Sequence, residues 1–140
     1  MPRGLFVTGT DTGVGKTAVA AALLCRYRKP KPLTYWKPVQ TGSDTDDDTR
    51  TVRRLAAAPD AEILDRGVRL PLPLSPHLAA HRVAKVLDLA TLAQPFVEAS
   101  PDVRWVVEGA GGVLTPLNPR ERVVDLIAKL GLPALVVART

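Results

Sequence analysis

The segment that decides the fold is Gly9-Thr10-Asp11-Thr12-Gly13-Val14-Gly15-Lys16-Thr17. It follows an apolar run over residues 5–9 that predicts a buried strand, and it opens a helical pattern over residues 16–28. In such a strand–loop–helix unit, the loop N–H groups and the helix N-terminus bind phosphate oxygens. We expect Lys16 to reach the outer phosphates and Thr17 to offer its hydroxyl to Mg²⁺. The loop is one residue longer than the ordinary form of this motif.

A second segment is Trp105-Val106-Val107-Glu108-Gly109-Ala110-Gly111-Gly112, in which an apolar strand predicted over residues 104–108 ends on a carboxylate. A carboxylate in this position holds Mg²⁺ in many proteins with a phosphate loop, and Mg²⁺ prefers oxygen ligands. The glycines allow close approach of the backbone to a ligand. By itself the segment is more typical of a strand-end turn with a solvated glutamate. Beside the phosphate loop, Glu108 becomes a candidate metal ligand.

A third segment, Lys37-Pro38-Val39-Gln40-Thr41-Gly42, closes a strand predicted over residues 33–39. A lysine there can stabilise a growing negative charge, although a lysine with no catalytic role before a proline turn fits the local sequence equally well. The acidic loop that follows is Asp44-Thr45-Asp46-Asp47-Asp48-Thr49. Asp48 is the best anchored candidate for a metal ligand because a helix begins there. For the other aspartates we expect solvated side chains or helix caps.

Strand and helix patterns alternate along the chain. Further helices are predicted over residues 48–58, 77–86, 87–99 and 123–130, and a last strand over residues 134–138, whereas the proline-rich residues 60–76 show no clear pattern. The alternation predicts an α/β fold with a mostly parallel sheet and helices on both faces, in one domain over residues 1–140. Ligands of such sheets bind at the carboxyl ends of the strands, so we expect all the quoted loops to meet there.

The composition restricts the partners. The 140 residues carry a net charge of +5 with a pI near 9.8, which is compatible with an anionic ligand. The acidic loop and the lack of interleaved aromatic residues argue against nucleic acid, and no apolar run approaches the roughly 20 residues of a membrane span. With no export signal and one cysteine, Cys25, expected to be buried, we expect a cytoplasmic protein. Trp36 and Trp105, on predicted strands, are expected in the core.

Together these segments resemble the dethiobiotin synthetase family. The similarity runs in order over the whole chain and also includes Ser75-Pro76-His77 and Asp125-Leu126 followed by Gly131-Leu132-Pro133. Its most specific parts are the long phosphate loop and the segment from Lys37 to Gly42. The resemblance implies a P-loop NTPase fold with ATP bound in one domain. Since family members are commonly longer, it also implies that the C-terminal part of the family fold is missing.

The resemblance further implies a cyclo-ligase of biotin biosynthesis that forms C–N bonds. In that family 7,8-diaminononanoate takes up CO₂ as a carbamate, the carbamate attacks the γ-phosphate of ATP, and the second amine closes the ring to dethiobiotin, releasing phosphate. Lys37 and Lys16 would be the catalytic residues, and Thr41 and Thr12 would contact the substrate. Mg²⁺ would be held by Thr17, Asp48 and Glu108. ATP would contact Gly13, Val14, Gly15, Lys16, Thr17, Asp48, Glu108, Gly109, Ala110 and Gly111. The family also implies a homodimer.

Two other functions fit parts of the pattern. An ATPase switch of the chromosome-partitioning type, which binds DNA or a membrane, shares the fold but carries an additional lysine early in the phosphate loop. Here Thr10, Asp11 and Thr12 occupy that region. A truncated chain that only binds phosphate is the other alternative. Lys37-Pro38 favours the ligase over the ATPase switch, whereas the truncated chain stays an open alternative.

Overall fold

The computed structural model describes residues 3–140. Its strands are β1 (Gly4–Gly9), β2 (Thr34–Trp36), β3 (Val39–Gln40), β4 (Ile63–Leu64), β5 (Val68–Arg69), β6 (Trp105–Glu108) and β7 (Ala134–Val137). Five of them form a parallel sheet in the order β4-β2-β6-β1-β7, and β3 pairs with β5 in a second, two-stranded parallel sheet. The predicted α/β fold with a mostly parallel sheet is therefore confirmed.

Helices cover both faces of the main sheet. They are α1 (Lys16–Tyr27), α2 (Asp48–Leu55), α3 (Pro76–Arg82), α4 (Leu89–Glu98) and α5 (Val123–Leu130), with a short 3₁₀ turn at Asp60–Glu62. Successive strand residues point to opposite faces, so Phe6 packs in the cluster that includes α4 and α5, while Val7 packs with α1 and α2. Trp36 and Trp105 are 1% and 2% exposed with ring centroids 5.9 Å apart, which confirms their prediction as core residues.

The strand predicted over residues 33–39 is in fact two strands in two different sheets. β2 ends at Trp36, after pairing with β6 on one side and β4 on the other. Pro38 has no N–H to donate, and its carbonyl accepts a bond of 2.8 Å from Val68 N in the second sheet. The break turns the chain at Lys37, which places this lysine beyond the edge of the main sheet rather than within it.

The unassigned residues 60–76 contain β4 and β5, each only two residues long, too short to show an alternating pattern. Three helix bounds also differ from the prediction. The helix predicted over residues 48–58 ends at Leu55, before Ala57 takes a φ of 45°. The one predicted over residues 77–86 ends at Arg82, shortly before Ala84 with a φ of 54°. The one predicted over residues 87–99 begins at Leu89, because Asp88 caps it.

The expectation that Cys25 is buried was wrong, because its side chain is exposed. Helix α1 is rotated so that Ala20, Ala21 and Leu24 face the sheet, which turns Cys25 to the solvent. Among residues 3–140, no helix combines the length and the apolar character that crossing a membrane requires.

Candidate nucleotide site

A cleft of about 760 Å³ opens beyond the carboxyl ends of β1, β2 and β6. Most of the residues singled out in the sequence line it: Thr12, Gly13, Gly15, Lys16, Thr17, Lys37, Thr41, Asp48, Glu108, Ala110 and Gly111. The other two candidates, Val14 and Gly109, are not among its lining residues. The Gly109 N–H instead donates to Val7 O at 2.9 Å, which joins the loop after β6 to β1.

The phosphate loop wraps back onto its own lysine. Gly15 caps α1 with a φ of 110°, a conformation that side chains rarely adopt. Lys16 follows and is 7% exposed, and its Nζ donates to Asp11 O at 2.8 Å. Burial, followed by the positive charge of Lys37, lowers the pKa of Lys16. A phosphate anion entering the loop would meet an ammonium that is already poorly hydrated.

The loop after β6 packs directly against the phosphate loop. Val113 N donates to Gly9 O at 2.9 Å. A Cβ on Gly112 would lie 2.8 Å from the backbone oxygen of Thr10, which is closer than real Cβ contacts. Glycine at this position therefore allows the two loops to meet, and their contact fixes one wall of the cleft.

Glu108 is the central polar group of the site. It is 1% exposed, and each of its oxygens accepts hydrogen bonds. Oε1 accepts from Thr17 Oγ1 at 2.7 Å and from Lys37 Nζ at 3.3 Å. Oε2 accepts from the Tyr35 hydroxyl at 2.6 Å. Strand β6 lies between β1 and β2 in the sheet, and α1 follows β1 directly. The fold therefore brings Thr17, Tyr35 and Lys37 to Glu108 from two other parts of the chain.

Lys37 lies between two carboxylates. Its Nζ is 2.5 Å from Asp48 Oδ2 and 3.3 Å from Glu108 Oε1, and it also donates to Gly109 O at 3.2 Å. Its side chain is 4% exposed. Buried charges need such partners, so the ammonium and the two acidic groups depend on one another.

The structure distinguishes the aspartates of the acidic loop. Asp48 N donates to Gln40 Oε1 at 2.9 Å, which anchors the start of α2 beside the cleft. Asp47 instead caps α2 by accepting from Arg50 N at 3.1 Å, and it pairs with Arg69 at 2.8 Å. Burial tends to raise the pKa of Asp47, but these hydrogen bonds outweigh it and leave the pKa below its ordinary value. Asp48 thus faces the lysine, whereas Asp47 serves the helix.

The donor chemistry of the cleft fits Mg²⁺. The Thr17 hydroxyl and the carboxylates of Asp48 and Glu108 are hard oxygen ligands, and Mg²⁺ sites that also bind phosphates commonly use only one or two carboxylates. Within residues 3–140, no group of three or more His, Cys, Asp or Glu side chains is placed to hold a metal by itself. These three ligands therefore suit an ion that is also coordinated by phosphate oxygens and water, and they do not suit an ion that is coordinated by protein groups alone.

Tyr35 and Gln40 were not recognised from the sequence, although one contacts Glu108 and the other anchors Asp48. The sequence does contain a signal for Tyr35. In the strand predicted over residues 33–39 it stands two positions before Lys37, and residues two apart along a strand lie on the same face. Its partner could not be deduced because it depends on the register of β2 against β6, in which Tyr35 is opposite Val106.

Comparisons with known proteins show the family of the chain. A family model described as an AAA domain matches residues 3–140. The chain is 49% identical over 99% of its length to an ATP-dependent dethiobiotin synthetase of Paramagnetospirillum magneticum, and 44% identical over 100% to one of Agrobacterium fabrum. It is 42% identical over 99% to a biotin biosynthesis bifunctional protein of Bordetella avium. The chain spans 62% of the length of the first two relatives and 28% of the third. The resemblance to dethiobiotin synthetases is therefore confirmed.

Proposed function

Because the chain belongs to the AAA domain family, we propose that its cleft binds ATP with Mg²⁺ and that it carries the catalytic part of a dethiobiotin synthetase. The proposed reaction converts 7,8-diaminononanoate, CO₂ and ATP into dethiobiotin, ADP and phosphate. Residues 1–140 form its nucleotide-binding domain in this proposal. The names of the relatives support this function over a chromosome-partitioning ATPase.

The observation that carries the proposal is the position of Lys37. Its ammonium lies in the same cleft as the phosphate loop and against Asp48 and Glu108. A reaction in which a carbamate attacks a phosphoryl group needs positive charge between two anions, and it otherwise needs mainly positioning. Lys37 meets that requirement from the substrate side, and Lys16 meets it from the loop side.

Each step assigns a task to residues of this chain. One amine of the substrate adds to CO₂ and loses a proton, and Lys37 then neutralises the carbamate. A carbamate oxygen attacks the γ-phosphorus of ATP while ADP leaves, with Lys16 between the two anions. The second amine attacks the carbamoyl carbon, the C–O bond to phosphate breaks, and the ring closes as this amine gives up a proton to the departing phosphate. Thr12 and Thr41, both at the cleft, would orient the diamine.

Thr17, Asp48 and Glu108 are the residues that would hold Mg²⁺. Bound there, the ion would supply charge neutralisation at the β- and γ-phosphates of ATP. Thr17 and Glu108 are already joined by their hydrogen bond of 2.7 Å, so these two ligands need little rearrangement. Asp48 contacts Lys37 in the structure, so its approach to a metal would require the lysine to shift.

The test is phosphate release by the purified chain with ATP and Mg²⁺. We expect release that requires both 7,8-diaminononanoate and bicarbonate, together with dethiobiotin detected by mass spectrometry. Hydrolysis stimulated by DNA or by lipid vesicles, with no response to the diamine, would instead indicate the switch-type ATPase. A folded chain that binds ATP but shows neither response would indicate the remaining alternative, a chain that only binds phosphate.

The partners follow from the same proposal. They are ATP, CO₂ or bicarbonate, the diamine and a second copy of the chain in a homodimer, in the cytoplasm where ATP is available. Sedimentation equilibrium tests the dimer, for which we expect twice the mass of 15.0 kDa. A single species at the monomer mass, with or without ATP, would contradict this part of the proposal.

A further inference from the structure

We propose that Tyr35 is a positioning residue, which holds the carboxylate of Glu108 in the orientation that metal binding requires. The inference rests on the proposed function of the cleft. It concerns a side chain that does not line the cleft but contacts a residue that does.

The first argument is the division of partners at Glu108. Thr17 and Lys37, the two donors from the cleft side, both bind Oε1. Oε2 accepts from the Tyr35 hydroxyl at 2.6 Å, between residues 73 positions apart. Without this bond only Oε1 would be held, and the plane of the carboxylate could turn about its terminal torsion, which is a soft one. The tyrosine therefore fixes the plane in which the carboxylate faces Thr17 and the cleft.

The second argument is the rigidity of the tyrosine itself. Tyr35 is fully buried and belongs to the cluster formed with Val7, Leu24, Val52 and Val106. Strand pairing on both sides of β2 fixes its backbone, with Ile63 opposite on one side and Val106 on the other. A hydroxyl carried on such a packed ring has one position, and that position is against Glu108.

The third argument is the place of this hydroxyl behind a metal-binding residue, since it contacts Glu108 from the side away from the cleft lining. Outer partners of this kind commonly change metal affinity by roughly 10- to 100-fold when they are removed, although they do not touch the metal.

The experiment compares Tyr35→Phe with the unsubstituted chain, and uses binding of a non-hydrolysable ATP analogue instead of turnover. In Tyr35→Phe we expect the Mg²⁺ concentration at half-maximal binding to rise by roughly 10- to 100-fold, with unchanged affinity for the analogue in EDTA. The matched control is Tyr27→Phe, which removes the hydroxyl of a tyrosine that is 52% exposed. It is expected to leave both quantities unchanged.

Two further measurements separate positioning from packing. In a Glu108→Gln background the tyrosine has no carboxylate to hold, so adding Tyr35→Phe should not weaken Mg²⁺ dependence any further. Fluorine NMR of the chain with fluorotyrosine needs no unstable variant. The resonance of Tyr35, identified by its persistence in Tyr27→Phe, should shift when Mg²⁺ is added to the analogue complex, while that of Tyr27 should not.

Unchanged Mg²⁺ dependence in Tyr35→Phe would overturn the inference, as would an equal loss of affinity with and without Mg²⁺ or a stationary Tyr35 resonance. Each of these results leaves the proposed function intact if the unsubstituted chain still shows Mg²⁺-dependent binding. A lack of nucleotide binding by the unsubstituted chain would overturn both.

Discussion

Replacing Lys37 by methionine tests the ion cluster most directly. The substitution keeps the length of the side chain but removes the ammonium that lies 2.5 Å from Asp48 and 3.3 Å from Glu108. Glu108 would remain 1% exposed with only its hydroxyl partners. Removing one partner of a buried ion pair typically costs roughly 3–5 kcal/mol. Because Asp48 is 30% exposed and partly solvated, we expect the lower end, about 3 kcal/mol, in metal-free buffer.

Mg²⁺ should restore much of this stability. If the ion occupies the space between the two carboxylates, it stabilises the folded state by about 2.7 kcal/mol at a concentration 100 times its dissociation constant. Urea unfolding in EDTA and in Mg²⁺ measures the loss of stability and its recovery. In activity assays, Lys37→Met should lose ring closure while its affinity for ATP is largely kept. Lys85→Met, at an exposed lysine, is the control. Unchanged stability in EDTA, or recovery that K⁺ produces equally well, would refute the reasoning.

Three other substitutions test separate parts of the site. Lys16→Ala should weaken ATP binding at least tenfold by calorimetry, because a cation of the phosphate loop is lost; equal affinity would contradict the assignment of the loop. Gly112→Ala should lower the free energy of unfolding by about 1–3 kcal/mol and also weaken ATP binding, since the new Cβ meets Thr10 O at 2.8 Å. Asp47→Ala should cost about 0.5–2 kcal/mol at neutral pH through loss of the α2 cap. The pKa of Asp47 is lowered in the folded state. The difference in unfolding free energy between the two proteins should therefore disappear as the pH falls through the folded-state pKa of Asp47. A difference that stays constant down to acid pH would exclude the carboxylate as its source.

Local sequence was sufficient to predict those features whose signal lies within one continuous segment. The strand–loop–helix unit around Lys16 needs only its own apolar run, its glycines and its helix start, and α5 at Val123–Leu130 was predicted with its observed bounds. The alternation of strands and helices was also sufficient to predict that the loops meet at the carboxyl ends of the strands. The failures lie where tertiary context overrides local pattern, as at Pro38, where the chain changes sheet, and at Cys25, where the rotation of α1 decides burial.

The sequence by itself therefore determined the α/β class, the phosphate loop and the candidates Lys16, Lys37 and Glu108. Only the tertiary structure decided how these side chains pair: Lys37 between Asp48 and Glu108, and Tyr35 behind the carboxylate. The physical reason is that backbone propensity and glycine-dependent turns act over a few neighbouring residues. Contacts between residues more than 70 positions apart depend instead on strand register and on which face each side chain takes, and both are set by the packing of the whole sheet.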